Sequence, residues 1–407
     1  MLAMTMMVRD EADVIAATVE HHLAQGFDHL IVTDNASTDG TREILEEYAQ
    51  HAPLTLHHDP EHRKQQARVV TSMAREAARM GATWVVNGDA DEFVLPVDRS
   101  TTVAAVLAAM PTSLRAFTVP VVNMVGPIAE TGSGIGRLRM RDERSLEALQ
   151  AAGVLAHPTP NAIHVGDPEV EVAHGNHFTS IEQHGEVPDE LALEVLHLPW
   201  RSATQFARKT ENMGRGYEAN PQLRPSANHH GMRDWRRMRA GVLLPFLALR
   251  MPTSDDLAQQ GFVEDDALVT ALQLDGVRPG LLAAALADGE AYDDAEIERL
   301  RALAHVLSPL DVEAQRDIVV LREEVDDRNT RLYEAQQRIQ QLEIALGVAA
   351  EDGLRERIAL EGAVVDARGQ ADRARAELAG VQQALEALEA QPVMRASRAV
   401  SRALRSR

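Results

Sequence analysis

The first hundred residues alternate short apolar runs with amphipathic segments, and this alternation constrains the fold more than any other feature of the chain. The runs that predict strands are "LAMTMMV" (2–8), "HLIVTD" (29–34), "LTLHH" (54–58) and "TWVVNGD" (83–89). The segments between them repeat apolar residues every three or four positions, which is typical of helices with one buried face. Strands and helices in alternation predict an α/β fold with a mostly parallel sheet, whose carboxyl edge is where ligands bind.

Composition excludes several classes of function. The chain has 407 residues, so two or three structural units are expected. It has no cysteine, which excludes disulfides, cysteine metal sites and cysteine nucleophiles. Its formal net charge of −21 repels polyanions and argues against specific nucleic-acid binding. The absence of a long apolar run and of a basic segment before the first strand predicts a cytoplasmic protein without a secretory signal.

Four parts are predicted along the chain. Residues 1–235 form the α/β domain, 236–310 an acidic helical accessory region, 311–391 a coiled coil and 392–407 a basic tail. The coiled coil rests on an apolar heptad that only Arg328 interrupts before Gly347 and Gly353, namely Ile318, Leu321, Val325, Leu332, Ala335, Ile339, Leu342 and Leu346. Such a segment predicts a homo-oligomer or a partner helix.

The tail "RASRAVSRALRSR" carries five arginines and no acidic residue. Two interpretations stay open. The tail makes a weak contact with anionic lipid, which would place the protein peripherally at a membrane, or it is a solvated end.

The stretch "NGDADEF" (87–93) places two aspartates directly after the fourth predicted strand. Side chains alternate along an extended segment, so Asp89 and Asp91 point the same way while Ala90 points away. Two carboxylates at a strand end form a site for a hard cation, Mn²⁺ or Mg²⁺, which water and substrate phosphates complete. The structural alternative is a solvated acidic loop.

The spacing of "DADEF" can be compared with that of two other motifs. An EF-hand needs a glycine at the sixth position of its loop, and this chain has none there. A haloacid-dehalogenase-type phosphatase also places D-x-D after a strand and uses the first aspartate as nucleophile. That alternative stays open, although Phe93 departs from its pattern.

A second polar constellation is "VTDNASTDGTREIL" (32–45). Asp34 ends the second strand, and the following residues are of the types that form tight turns and open helices. A carboxylate there can accept hydrogen bonds from a base or ribose. Capping of the turn and helix would explain the same residues without a ligand.

Together "MVRDEADVI", "HLAQGFDHLIVTDNASTDGTREIL" and "WVVNGDADEF" resemble the family 2 glycosyltransferases, in the subgroup with "(R/K)NEAD" and "D-x-DEF" motifs. The resemblance covers residues 4–95 and returns at "VLHLPWRSATQFARKTENMG" (195–214). It implies a GT-A fold, a Rossmann-like α/β sandwich that binds a nucleoside diphosphate sugar. Asp10 departs from the subgroup, which usually has asparagine at this position.

The resemblance also implies roles for residues. Arg9 and Glu11 would line the nucleotide pocket, and Asp34 would contact the base. Asp89 would lie near ribose and metal, with Asp91 as the most direct metal ligand. The cation would neutralise the departing diphosphate.

Further candidates are less strongly specified. Inverting members of the family use a carboxylate base, for which the candidates by location are Asp167, Glu169, Glu171 and Glu194. His177 and His197 are candidate metal ligands or acceptor contacts, with a structural role as the alternative. Arg201 and Lys209 lie two helical turns apart and could hold the diphosphate, or be solvated cations.

The leading hypothesis is therefore a metal-dependent, inverting glycosyltransferase of hexosyltransferase type. It would transfer a sugar from a nucleoside diphosphate to a glycan or lipid-linked acceptor in cell-surface glycan synthesis. Two alternatives remain, namely the aspartyl phosphatase and a non-catalytic assembly protein with a degenerate sugar-nucleotide module.

Overall fold

A computed structural model describes residues 1–63, 65–154, 157–220, 225–226, 229–272, 280–281, 289–349 and 353–390. By its contacts the chain divides into a first unit, residues 1–224 with 243–304, and a second unit, residues 225–242 with 305–407. The predicted boundaries at residues 235, 310 and 391 stay predictions. The basic tail lies outside the described residues.

The first unit is built on a mixed sheet. Its strands are β1 (Leu2–Val8), β2 (His29–Asp34), β3 (Leu54–His58), β4 (Trp84–Asn87), β6 (Ala116–Val119) and β9 (Asn161–Val165). Within the described residues the order is β3-β2-β1-β4-β9-β6, with the first four strands parallel and β9 antiparallel to both of its neighbours, β4 and β6. The predicted α/β class with a mostly parallel central sheet is confirmed.

A second sheet completes the strands of this unit. It contains β5 (Glu92–Pro96), β7 (Val121–Val125), β8 (Met140–Asp142), β10 (Leu193–His197) and β11 (Phe262–Glu264) in the order β11-β8-β7-β10-β5. The segment "LRAFTVPVVNMV" (114–125) contains β6 and β7, which belong to different sheets. Pro120 separates them, because proline cannot donate to a ladder and so ends a strand.

Helices cover both faces of the central sheet. Those of the first unit are α1 (Ile15–Ala24), α2 (Thr41–Ala49), α3 (Gln66–Arg79), α4 (Val103–Ala109), α5 (Leu146–Ala151), α6 (Ala203–Glu218), α8 (Leu243–Ala248), α9 (Ser254–Leu257) and α10 (Ala267–Leu272). Alternate residues of β1 face opposite sides. Met4 belongs to the core that holds α1, and Ala3 to the core that holds Met73 of α3.

The second unit is helical. It contains α7 (His230–Arg239), the continuation of α11 (Asp294–Ala349), and α12 (Leu354–Ala390). Arg328 of α11 pairs with Glu377 of α12 at 2.7 Å, and Glu343 pairs with Arg368 at 2.6 Å. Since the paired numbers rise in one helix as they fall in the other, the helices run antiparallel within one chain.

The apolar residues of this hairpin meet across the two helices. Leu342 of α11 packs with Val364 and Ala367 of α12. The heptad of α11 therefore has a partner within the chain. A coiled coil and a homo-oligomer stay predictions. No helix of the described residues combines the length and the apolar character that a membrane span requires.

Two buried histidines join α1 to β5, directly after the acidic loop. His21 Nε2 donates to the carbonyl of Val94 at 2.8 Å, and His22 Nδ1 donates to the carbonyl of Thr18 at 2.7 Å. Both rings pack against Phe93. Burial lowers the pKa of His21 to about 4, and burial together with His21 lowers the pKa of His22 well below its usual value.

The low pKa of His21 predicts that the protein loses stability in mild acid. The His21 imidazole binds a proton near pH 6.5 in the unfolded chain, but only near pH 4 in the folded protein. The free energy of unfolding should therefore fall between these pH values, by about 3 kcal/mol for this one group. We expect the free energy of unfolding of His21→Gln, measured by urea denaturation, to fall less steeply as the pH is lowered across this range. Glutamine does not titrate, and its amide can still donate to the carbonyl of Val94.

A matched control is His184→Gln, which removes an exposed imidazole. Equal slopes for His21→Gln and the parent protein would contradict the assignment of the acid sensitivity to His21.

Candidate active site

Three acidic loops meet at the carboxyl edge of the parallel strands. Val8 of β1 lies opposite Asp34 of β2, and Thr5 of β1 lies opposite Asn87 of β4. The segments that follow these strands, residues 9–13, 34–41 and 88–91, therefore emerge side by side. The register thus places "RDEAD", "DNASTDGT" and "DAD" at the edge where ligands bind in such sheets.

Asp91 lies at the centre of the site and is only 2% exposed. Its Oδ2 lies 2.5 Å from Lys209 Nζ, 3.2 Å from an Arg201 Nη1 and 3.7 Å from His197 Nε2. Although burial acts to raise it, the charges of Lys209, His197 and Arg201 hold the pKa of Asp91 well below its usual range. Asp91 is thus an ionised carboxylate paired with two protein cations.

Arg201 connects this carboxylate to the loop after β1. Its Nε donates to Asp13 at 2.8 Å and its Nη2 donates to both Asp13, at 3.0 Å, and Glu11. The residue has no exposed surface. Arg201 is therefore placed to position these carboxyl groups, and it is not the solvated cation of the alternative interpretation. Its contact with a diphosphate stays a prediction.

Negative charge is in excess around Arg201. Three carboxyl groups, from Glu11, Asp13 and Asp91, share the positive charges of Arg201 and Lys209. Burial raises the pKa of Glu11 to about 7, with the charge of Asp91 adding to the rise and Arg201 opposing it. Further positive charge would be stabilised here, since like charges in a buried site disfavour full ionisation.

Asp89 is held by neutral donors rather than by cations. Its Oδ1 accepts hydrogen bonds from Gln66 Nε2 at 2.8 Å and from Asn176 Nδ2 at 3.0 Å. Its backbone N–H donates to Glu92 at 3.0 Å, and the same Glu92 oxygen accepts from Asn161 at 2.7 Å. Burial, with the charge of Asp89, raises the pKa of Glu92 to about 8. Glu92 therefore shapes the turn.

One face of α6 ties the acidic loops together. Arg208 donates to Asp39 at 2.6 Å, Lys209 pairs with Asp91, and Asn212 donates to Asp10 at 2.8 Å. These three residues project toward the loops within about one helical turn. The segment 195–214, which carried the weaker part of the resemblance, thus supplies the positive side of the site.

Arg9 and Asp34 are engaged within the loops. Arg9 Nη1 donates to the carbonyls of Asn35, at 2.5 Å, and Ala36, at 2.8 Å. Asp34 accepts the backbone N–H of Ser37 at 3.1 Å and lies 3.1 Å from His58 Nδ1. Both side chains therefore hold the turn after β2, which agrees with the alternative of a capping role. Their contacts with a nucleotide stay predictions.

The two candidate histidines have different neighbours. His197 Nδ1 donates to Asn123 Oδ1 at 3.0 Å, which leaves Nε2 as the nitrogen that faces Asp91. His177 Nδ1 lies 3.1 Å from Asn161 Oδ1. Burial lowers the pKa of His177, and the charge of Asp89 opposes this shift. His197 has the better placement for a cation bound to Asp91.

The structure does not bring the four candidate bases to this cluster. Asp167 pairs with Arg115 at 3.1 Å, while Glu169 and Glu171 contact Arg75 of α3. Arg75 lies nine residues, about 13 Å, along α3 from Gln66, the residue that touches Asp89.

Glu194 is separated from the cluster in a different way. It lies three residues before His197 in β10, so the two side chains point to opposite faces of the sheet. Arg99 and Arg141 pair with it. Although burial acts to raise it, these arginines hold the pKa of Glu194 below its usual value. Glu194 is thus a partner of arginines in the second sheet.

Sequence reasoning missed several residues of the site. Asp13 and Asp39 were inside the quoted motifs, and their acidic side chains were the available signal. Arg208 and Asn212 lie beside Lys209 at helical spacing, which could have marked them. Asn176 precedes His177 in a loop, and no local pattern identifies it as a partner of Asp89.

The donors at this site fit a divalent cation for which the protein supplies only part of the coordination shell. In the described part of the chain, no group of three or more His, Asp or Glu residues is arranged to hold a metal by itself. Mg²⁺ and Mn²⁺ are typically held by one or two carboxylates, with substrate phosphates and water completing the shell. Asp91 Oδ2 and His197 Nε2, 3.7 Å apart, offer two suitable donors in a cluster with excess negative charge.

Comparison with protein families supports a glycosyltransferase. The model described as glycosyltransferase family 92 matches residues 3–119, less than a third of the chain. This range contains the loops after β1, β2 and β4. The prediction of family 2 is not confirmed, since the matching model describes a different family. A search of curated protein sequences gives no match.

Solved structures similar to this chain include TarS of S. aureus. Its fragment 1–349 is 14% identical, with 79% of this chain and 91% of that chain covered and a TM-score of 0.27. The same fragment in complex with UDP-GlcNAc is 13% identical over the same shares, with a TM-score of 0.31. At these TM-scores no detail of TarS is transferred to this chain.

The buried position of Arg201 predicts a large loss of stability on its removal. Arg201→Met would leave Glu11, Asp13 and Asp91 without their shared buried cation, at a cost of about 3–5 kcal/mol. Arg208→Met is the matched control, because Arg208 is 40% exposed and its loss should cost about 1 kcal/mol or less. Urea denaturation of both variants measures the difference, and equal losses would contradict the central role of Arg201.

Proposed function

We propose that the protein is a glycosyltransferase that transfers a sugar from a nucleoside diphosphate to a hydroxyl group of an acceptor. One observation carries the proposal, namely the meeting of three acidic strand-end loops with the cationic face of α6 at the carboxyl edge of the sheet. The family 92 match over residues 3–119 covers all three loops and supports it. Inversion at the anomeric carbon, a hexosyl donor and a glycan or lipid-linked acceptor are proposed with it, on the resemblance of the motifs.

The reaction requires positive charge where the sugar leaves its phosphate. The bond between the anomeric carbon and the phosphate oxygen breaks, and the diphosphate takes the electron pair. The acceptor hydroxyl oxygen forms the new bond to the anomeric carbon and loses its proton to a general base. Fixed donors aimed at that developing charge lower the barrier. Lys209 is 34% exposed and lies at the mouth of the cluster, so its ammonium can reach a diphosphate. Arg201 acts through Asp91 and is a positioning residue.

A divalent cation, Mn²⁺ or Mg²⁺, is proposed at Asp91 and His197, with Asp89 two residues away. When bound, it would neutralise charge on the leaving diphosphate. Asn123 would orient the His197 ring through Nδ1, and Arg201 would hold Asp91 in place. These contacts from a second layer of residues usually fix the orientation of metal ligands.

A binding screen of nucleoside diphosphate sugars in the presence of Mn²⁺ tests the proposal. We expect at least one donor to raise the unfolding temperature, because a ligand that binds only the folded state stabilises it. Asp91→Asn should remove the part of this stabilisation that depends on Mn²⁺. Glu171→Gln should leave it unchanged, since Glu171 lies beside Arg75 and away from the cluster.

The outcomes separate the alternatives. Stabilisation of the parent protein by no donor of the panel would count against the glycosyltransferase. Trapping of Asp89 by a phosphate mimic, with release of phosphate from monoesters, would favour the aspartyl phosphatase. Donor binding without turnover in any acceptor mixture would favour the non-catalytic assembly protein.

A further inference from the structure

Lys209 holds the oxygen of Asp91 that faces His197. Its ammonium lies 2.5 Å from Asp91 Oδ2, the same oxygen that lies 3.7 Å from His197 Nε2. A cation bound between Oδ2 of Asp91 and Nε2 of His197 would take over this oxygen. Lys209 and a divalent cation therefore compete for one carboxylate oxygen.

The chemistry of lysine suits a counter-ion that can leave. Only two of the 41 Lys and Arg residues in the chain are lysines, Lys64 and Lys209. Arginine holds a carboxylate with a rigid planar fork, whereas lysine is a point charge on a flexible stem. Asp91 has both kinds of partner, with the enclosed Arg201 on one side and the partly exposed Lys209 on the other.

Removal of Lys209 from Asp91 would not release the carboxylate. Arg201 still pairs with Asp91 and also holds Glu11 and Asp13, so the loop geometry is retained. The charge left behind is negative, with three carboxyl groups around one guanidinium. A divalent cation restores the balance better than a single ammonium does.

We propose that Lys209 is an exchangeable counter-ion of Asp91. A divalent cation displaces its ammonium from Asp91 Oδ2, and the displaced ammonium then meets the diphosphate of the donor. The second step rests on the proposed function, and the first step does not. Metal binding and donor binding are coupled through Lys209. Metal binding frees the ammonium for the diphosphate, and contact of the ammonium with the diphosphate frees the Asp91 carboxylate for the metal.

Mn²⁺ affinity measured without any donor tests the exchange. Lys209→Met removes the competitor, so Mn²⁺ should bind about tenfold to a hundredfold more tightly, the equivalent of one charge-assisted hydrogen bond. Lys209→Arg keeps a cation on Asp91 and should give no such gain. Arg208→Met is the control for the general loss of one positive charge, because its partner is Asp39 rather than Asp91. Titration followed by electron paramagnetic resonance gives the free Mn²⁺ directly.

The proposal is overturned if Lys209→Met binds Mn²⁺ no more tightly than Arg208→Met, or if Lys209→Arg gains as much as Lys209→Met. Side-chain ¹⁵N resonances of the parent protein provide a measurement that needs no variant at this position. With two lysines in the chain, Lys64→Arg assigns the signals. Titration with Mg²⁺ should shift the Lys209 signal, and Mg²⁺ binding that leaves it unmoved would also overturn the exchange.

Failure of the proposed function has a different signature. If no nucleoside diphosphate sugar binds the parent protein while Lys209→Met still tightens Mn²⁺ binding, the exchange at Asp91 stands and the donor is wrong. If a donor binds in the presence of Mn²⁺, Lys209→Met should weaken it by about tenfold, since a charged contact with the diphosphate is lost. Unchanged donor binding would overturn the second step.

Discussion

The site depends on one buried guanidinium. Arg201 lies among the carboxyl groups of Glu11, Asp13 and Asp91, which come from two loops far apart in the chain. A buried charge without partners would cost several kcal/mol, so each of these groups requires the others. This mutual requirement fixes the loop after β1 against the loop after β4 and leaves a patch of negative charge that Lys209 and an incoming cation can balance.

The central sheet could be predicted because its signals are local. The boundaries of β2 and β3 follow directly from "HLIVTD" and "LTLHH", and the parallel order places Asp34 and Asp91 at one edge. A helix through Lys209 was also expected, and α6 (Ala203–Glu218) contains this residue. Short-range patterns carry this information.

Contacts between distant segments were much less predictable. Nothing local indicates that Lys209 would bind Asp91, 118 residues away, or that Arg201 would be enclosed. The candidate bases were predicted from their location in the sequence. Asp167 and Glu194 lie apart from the cluster because of strand positions and ion pairs that depend on the whole fold. The partner of the α11 heptad likewise lies in α12, where Leu342 packs with Val364 and Ala367.

The most direct test of the proposed donor site is a crystal structure with a nucleoside diphosphate and Mn²⁺. We expect the diphosphate between residues 9–13, residues 89–91 and α6, in contact with Lys209, with Mn²⁺ bound by Asp91 and His197. A nucleotide bound elsewhere, or Lys209 still paired with Asp91 in a crystal that contains both ligands, would contradict the assignment of this edge of the sheet as the donor site.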